Sequence, residues 1–269
     1  MASPAASSKR PAVSEQEQTR GAWESRAGSY GDSPTGVLFK GLSDSANGFI
    51  HAWHDGVLRK VFLPVLPEGA RVLDLGCGYG RMAMEAKHAR TDLRIVGQDL
   101  AYRFCRLFED HAGPVVQAGI EAIPFADGTF DAVMAVTSLM YVSPGSRRHA
   151  LRGIRRVVRD GGHVWIVDPG LELQKLLAFV RRRSVGFDGI GVAVDDYARL
   201  AADSGLEFLH GGANPALTSR LLVPGLREAD SGWKRRSLRS AVDSDLRKGD
   251  NAKWSLHRWA LMHVSRASP

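Results

Sequence analysis

The chain has 269 residues, 44% hydrophobic and 24% charged, proportions of a soluble globular protein long enough for one large α/β domain with a well-buried core. No apolar run approaches the roughly 18 residues that span a bilayer, and the opening segment lacks the apolar core of a signal peptide, so we expect a cytoplasmic protein, no membrane contact, and a disordered tail over residues 1–20. The net charge of +7 is uneven: residues 215–269 carry eleven Lys or Arg against five Asp or Glu, and Arg147 to Arg159 adds a basic stripe. Such surpluses suit nucleic acid or acidic small molecules, yet an arginine-rich composition gives them with no partner at all.

In chain order, Ser43, Asp44 and Ser45 offer helix caps, and Phe49, Ile50, Trp53, Val57, Leu58, Val61 and Phe62 then recur at helical spacing. This helix makes residues 21–66 an N-terminal helical cap over a ligand pocket, although its apolar stripe suits a homodimer interface as readily. Alternation follows: strand Arg71 to Leu75, helix Arg81 to Ala89, strand Arg94 to Asp99, helix Tyr102 to His111, strands Val115 to Gln117 and Phe130 to Val136, helix Arg147 to Arg159, strand Gly162 to Val167. Alternation of this kind predicts a doubly wound, mostly parallel sheet with ligands at the strands' carboxyl ends.

After Pro169 the pattern predicts a helix over Leu171 to Arg183, a mobile loop over Ser184 to Val194 with Gly186, Gly189 and Gly191, and a short helix over Asp195 to Ser204. Glu207 to His210 and His257 to Val264 complete seven strands, separated by a basic stretch from Gly211 to Lys253. The main domain is expected over 67–269, with insertions near 171–195 and 211–253 building a substrate pocket. The cysteines, Cys77 and Cys105, are too few for a disulfide framework or a zinc cluster, and His51-x-x-His54 lacks zinc-site spacing, so no metal is expected.

Residues 72–81 read Val-Leu-Asp-Leu-Gly-Cys-Gly-Tyr-Gly-Arg, a buried strand followed by Gly76, Gly78 and Gly80, which let the backbone turn sharply and approach a ligand without a Cβ in the way. A dinucleotide site expects G-x-G-x-x-G, whereas here the third glycine comes one place early and Asp74 would repel a pyrophosphate. The decapeptide resembles the first motif of class I S-adenosylmethionine (SAM) dependent methyltransferases. Arg94 to Asp99, Glu121 to Asp131 and Ile154 to Val167 match later blocks of that family in order, so the resemblance covers about residues 70 to 170. It implies an α/β Rossmann-like fold with SAM as cofactor, held by Asp74 and the Gly76-Cys77-Gly78 turn with Gly80 at the methionine end. Asp99 with Leu100 is implied at the ribose, Ile120 and Glu121 at the adenine, Thr137 at the sulfonium, and Tyr30 folded over the cofactor. The acidic adenine contact of many relatives is replaced by Gly119.

Methyl transfer is an in-line displacement, so the protein must align the acceptor and, for a hydroxyl or acidic carbon, remove a proton. Tyr141 stands where relatives often carry His, and His54, beside the apolar stripe of its helix, is the best candidate base. His51, Asp55 and Arg59 fall at i, i+4 and i+8, a solvated face. Asp168 closes the fifth strand at the same rim, to accept from a substrate or to cap the next turn. No Asn/Asp-Pro-Pro-Tyr/Phe or Pro-Cys pair is present for base methylation of nucleic acid. The expectation is methyl transfer to O, N or C of a small molecule in secondary metabolism. The alternatives are an RNA methyltransferase using the basic C-terminal part, including Lys234, Arg235 and Arg236, and a non-catalytic SAM-fold binding subunit.

Overall fold

The computed structural model describes residues 15–40, 42–180, 189–193, 195–223, 231–248 and 252–265. Among the described residues seven strands, β1 (Arg71–Leu75), β2 (Arg94–Asp99), β3 (Val115–Gln117), β4 (Phe130–Val136), β5 (Val158–Pro169), β6 (Glu207–Ala213) and β7 (His257–His263), form one sheet in the order β3-β2-β1-β4-β5-β7-β6. Only β7 runs against its neighbours, pairing antiparallel with β5 and β6. The expected Rossmann-like sheet is present, and the chain reverses its direction of travel across the sheet between β1 and β4, where open parallel sheets leave a crevice.

The central strands are mostly apolar because both of their faces are covered. In β4, Ala132, Met134 and Val136 join a layer with Ile50, Trp53 and Phe62, whereas Val133 and Ala135 face Leu151 and Ile154 on the other side. The period of two along the strand thus feeds two hydrophobic layers, each fully buried large side chain contributing roughly 1.5–3 kcal/mol.

Ahead of the sheet lie α1 (Glu15–Tyr30), α2 (Pro34–Val37) and α3 (Asp44–Val57). Ser43 caps α3, its Oγ accepting from the Ala46 amide at 3.1 Å. The helix ends sooner than expected: at Leu58 it loosens into a π turn that runs to Phe62. The stripe of Ile50, Trp53 and Val57 is buried within the chain itself. Phe62 stacks on Trp165 of the sheet at 5.4 Å, and α10 (Gly232–Lys248) packs across α3 so tightly that a side chain at Gly56 would run into Leu246. The apolar stripe is therefore no free homodimer face. Residues 15–20, expected in the disordered tail, are the first turns of α1, and residues 1–14 lie outside the described part. Nothing apolar in α1 announces it. Long-range contacts hold it in place, above all Glu24, whose carboxylate accepts from the Tyr102 and Arg103 amides at 2.5 and 3.3 Å.

The remaining helices are α4 (Arg81–Ala89), α5 (Tyr102–His111), α6 (Arg147–Val157), α7 (Leu171–Val180), α8 (Asp196–Ala202) and α9 (Pro215–Leu221). The helix expected to reach Arg159 stops at Val157, because Val158 already pairs with Phe130 and the strand then bulges near Gly161 (φ +78°). The basic stretch 211–253 holds α9 and α10, joined by Asp245, whose two oxygens accept the free Ala216 and Leu217 amides of α9 at 2.8 Å each. Residues 181–188 and 194, with Gly186 and most of the expected mobile loop, lie outside the described residues. Among the described residues no helix is long and apolar enough to cross a membrane.

Candidate active site

A cavity of about 450 Å³ opens at the carboxyl ends of β1, β2 and β4. The glycine turn forms its floor. Gly76 (φ +73°) has a backbone that only glycine adopts freely, and a Cβ there would collide with Ser138. The amides of Gly76 and Cys77 donate to the Gln98 carbonyl at 2.7 and 3.1 Å, tying the turn to β2. At the end of β2, Asp99 accepts from the amides of Gly78 and Ala101, 2.9 Å each. Burial pushes its carboxyl up to about 6 despite these amides.

Two opposite charges share the turn. Asp74 is buried and its Oδ2 has no hydrogen-bond partner. Burial pushes this carboxyl up to about 7, with Arg81 pulling it down and Asp99 pushing it further up. Arg81, the first residue of α4, is also buried, and its guanidinium donates to Nδ1 of His51 (2.9 Å), Nδ1 of His54 (3.3 Å) and Sδ of Met82 (3.1 Å). A guanidinium only donates, so both imidazoles accept through Nδ1 and stay neutral. Burial, with Arg81 close by, holds both histidines below their ordinary range, His54 well below. Asp74 and Arg81 make no ion pair with each other among the described residues. A buried carboxyl and a buried guanidinium that both line the cavity at the glycine turn are the complement of an amino-acid zwitterion.

The structure brings most of the expected residues together. Asp74, Gly76, Cys77 and Gly78 line the cavity from below; Asp99 and Leu100 line it from the end of β2, Ile120 and Glu121 from the loop after β3, and Thr137 and Tyr141 from the turn after β4. Thr137 sits at φ +57°, unusual for a β-branched residue, and is held there by its amide bond to Val167 O at 2.6 Å.

Other expected site residues stand away from the cavity lining. His54 is fully buried behind Arg81, against His257 (ring centroids 4.8 Å apart), and does not line the cavity. Gly80 precedes α4 as its N-cap, and a Cβ there would meet Phe108 and Ala112. Tyr30, at the exposed end of α1, does not reach the cavity; the aromatic residue that does is Trp23, two turns earlier on α1. Its ring meets Tyr141 edge-on at 4.9 Å and Phe104 at 6.2 Å. Asp168 lies beneath the turn, accepting the Met140 amide at 3.1 Å; burial raises its carboxyl to about 7 while Arg147 pulls it down. Asp168 thus braces the turn after β4, which is neither of the two roles expected for it. Among the described residues, none from 171–195 or 211–253 lines the cavity, and Lys234, Arg235 and Arg236 lie on α10, away from it. Sequence reasoning missed Trp23, Arg81 and Gln98, whose Nε2 donates to Gly119 O at 2.9 Å and whose buried Oε1 is unpartnered. The only sequence signal for Arg81 is its position, first in a helix that follows a glycine turn.

Residues 72–162 match the model of a methyltransferase domain family. The chain is 32% identical over 150 residues to O-methyltransferase rstn1 of Aspergillus nomiae, covering 47% of this chain and 65% of that protein. It is 30% identical over 158 residues to the 27-O-demethylrifamycin SV methyltransferase of Amycolatopsis mediterranei, covering 53% and 56%. The matches thus span less than two thirds of the length of these relatives. In fold, the chain is similar to geranyl diphosphate C-methyltransferase of Streptomyces coelicolor, with a TM-score of 0.62 at 16% identity over 94% of this chain and 100% of that one.

Proposed function

We propose that the chain, whose residues 72–162 match a methyltransferase domain family, is a class I SAM-dependent methyltransferase that methylates a small molecule at O, N or C, with a secondary metabolite as acceptor. The observation that carries this reading is the Asp74 and Arg81 pair: a buried carboxyl with one oxygen left without a hydrogen bond among the described residues, and a buried guanidinium, both at the glycine turn, suit the ammonium and carboxylate of a methionine tail. Asp99 suits a ribose diol, Ile120 and Glu121 suit an adenine edge, and the Thr137 carbonyl suits a sulfonium. SAM, when bound, supplies an electrophilic methyl group. The protein's own share is alignment: Asp74 and Arg81 fix one end of the cofactor, the Thr137 to Tyr141 turn fixes the face on which the acceptor meets it, and Trp23 keeps water out. The O-methyltransferases among the relatives favour oxygen as the atom modified.

Calorimetry with SAM and S-adenosylhomocysteine tests the cofactor half. Micromolar binding weakened by Asp99→Ala is expected; no binding, with Asp99→Ala indistinguishable, refutes it. Labelled methyl transfer into a host extract, with small-molecule and macromolecular fractions counted apart, tests the acceptor half. Label in RNA that disappears when Lys234, Arg235 and Arg236 are all changed to Gln would favour the nucleic-acid alternative.

A further inference from the structure

Resting on the small-molecule reading above, we infer that the acceptor is a neutral, electron-rich aromatic ring bearing a hydroxyl group, methylated at that oxygen between Trp23 and the segment Tyr141 to Ser146. The charged side chains lining the cavity are Asp74, Arg81, Asp99 and Glu121, on the glycine turn and the loops after β2 and β3. Across from them the wall is Thr19, Trp23, Tyr141, Val142, Ser143 and Ser146: aromatic, apolar and hydroxyl groups, with no formal charge. An ammonium or carboxylate acceptor would lose its water there with no opposite charge to replace it, which is costly. A neutral ring escapes that charge penalty, and its hydroxyl can exchange water for the serine hydroxyls.

The setting of Trp23 narrows the class further. The Arg26 guanidinium lies 5.0 Å from the centroid of its ring and donates to the carbonyls of Thr35 and Leu38, which fix it in place. Phe104 and Tyr141 pack against the same indole. A cation already held by the indole weakens its pull on a second cation, while an electron-rich ring gains from the same polarisation. Ser143 and Ser146, whose Oγ atoms lie 3.0 Å apart, stand at the mouth to hydrogen-bond polar substituents. In the transfer, the acceptor oxygen forms the new O–CH3 bond as the S–CH3 bond breaks. Sulfur keeps the electron pair and leaves as S-adenosylhomocysteine, and the hydroxyl proton passes to water at the mouth. An aromatic hydroxyl ionises at about 10, far more readily than an alcohol, so the step needs no histidine or carboxylate base at this wall.

The test is incubation of the full chain with SAM carrying a 13C methyl and a small-molecule extract of the host, reading the methyl carbon shift of the products. Aryl methyl ether is expected as the main signal. Trp23→Ala should lower that signal about tenfold at low acceptor concentration, while S-adenosylhomocysteine binding by calorimetry changes by no more than about twofold and Trp23→Phe retains most of the signal. N-methyl, C-methyl or methyl ester products, or a Trp23→Ala variant with undiminished aryl ether, overturn the aromatic class and leave the small-molecule reading standing. Label confined to macromolecules, or absent everywhere, overturns both.

Discussion

Asp74 titrates at about 7 because burial outweighs the pull of Arg81, and an ammonium placed against its unpartnered Oδ2 reverses that balance. Binding therefore requires the ionised form. At pH 6 a group titrating near 7 is about nine-tenths protonated, and at pH 8 about one-tenth, so cofactor affinity should fall about tenfold from pH 8 to pH 6. Asp99, raised to about 6 by the same cause, adds about another twofold in the same direction. His51 and His54, held below their ordinary range, contribute little in this window. Calorimetry with S-adenosylhomocysteine at pH 6, 7 and 8, in two buffers of different ionisation heat, reads both the slope and the proton released at pH 6. Asp74→Asn should weaken binding by about 1.5–3 kcal/mol, the loss of a charge-assisted hydrogen bond, and leave only the shallow slope due to Asp99. An affinity that is flat between pH 6 and 8, or a full slope surviving in Asp74→Asn, would refute the assignment.

Gly76→Ala should destabilise the fold by about 2–4 kcal/mol in urea unfolding, from left-handed strain and the collision with Ser138 together. Adding Ser138→Gly should relieve the collision and not the strain; a double variant no more stable than the single one would discount the packing part. His54→Ala should cost about 2–3 kcal/mol of stability by leaving Arg81 short of an acceptor, yet remove no limb from the pH profile of kcat/KM, because the buried imidazole stays neutral throughout the working range. A lost limb would restore His54 as a base. Asp168 and Asp74 both have folded-state values of about 7 against 3.8 for the free group. The folded form thus keeps protons that the unfolded chain has released, and the stability these groups contribute is lost as pH rises from about 4 to 7. Unfolding free energies at pH 5 and 8, without cofactor, should show that direction; Asp168→Asn should reduce the difference.

Where local pattern carries the information, sequence and structure agree closely. β1, α4, β2, α5, β3 and β4 begin and end at the residues expected, since buried parallel strands are continuous apolar runs and the glycines mark the turn between them. Asp74, Asp99, Ile120, Glu121 and Thr137, which line the cavity, follow from that frame. Residues whose position depends on distant partners were not legible. Trp23 lies on a helix with no apolar stripe, docked through Glu24 onto amides 78 and 79 positions away. His54 follows Trp53 on the apolar side of α3, and only the arrival of Arg81 and His257 shows that it is enclosed and not directed into the cavity. The register of Asp168 pointed to the right end of the sheet, but the Met140 amide draws it underneath. The basic stretch before β7 was read as a pocket wall, whereas Leu238, Ala241 and Val242 face inward and make it a cover for α3.

Glu24 and Asp99 both bond to the opening amides of α5, Asp99 at Ala101 and Glu24 at Tyr102 and Arg103, and the charge of Glu24 makes Asp99 harder to ionise. If Asp99 meets the cofactor ribose, as proposed above, the seating of α1 and the filling of that position are joined by a single free energy. By reciprocity, whatever factor the docked helix adds to cofactor affinity, the cofactor returns to the docking of the helix. Seating α1 is thus a measure of loading, legible from outside the cavity as protection of the Tyr102 and Arg103 amides from hydrogen exchange.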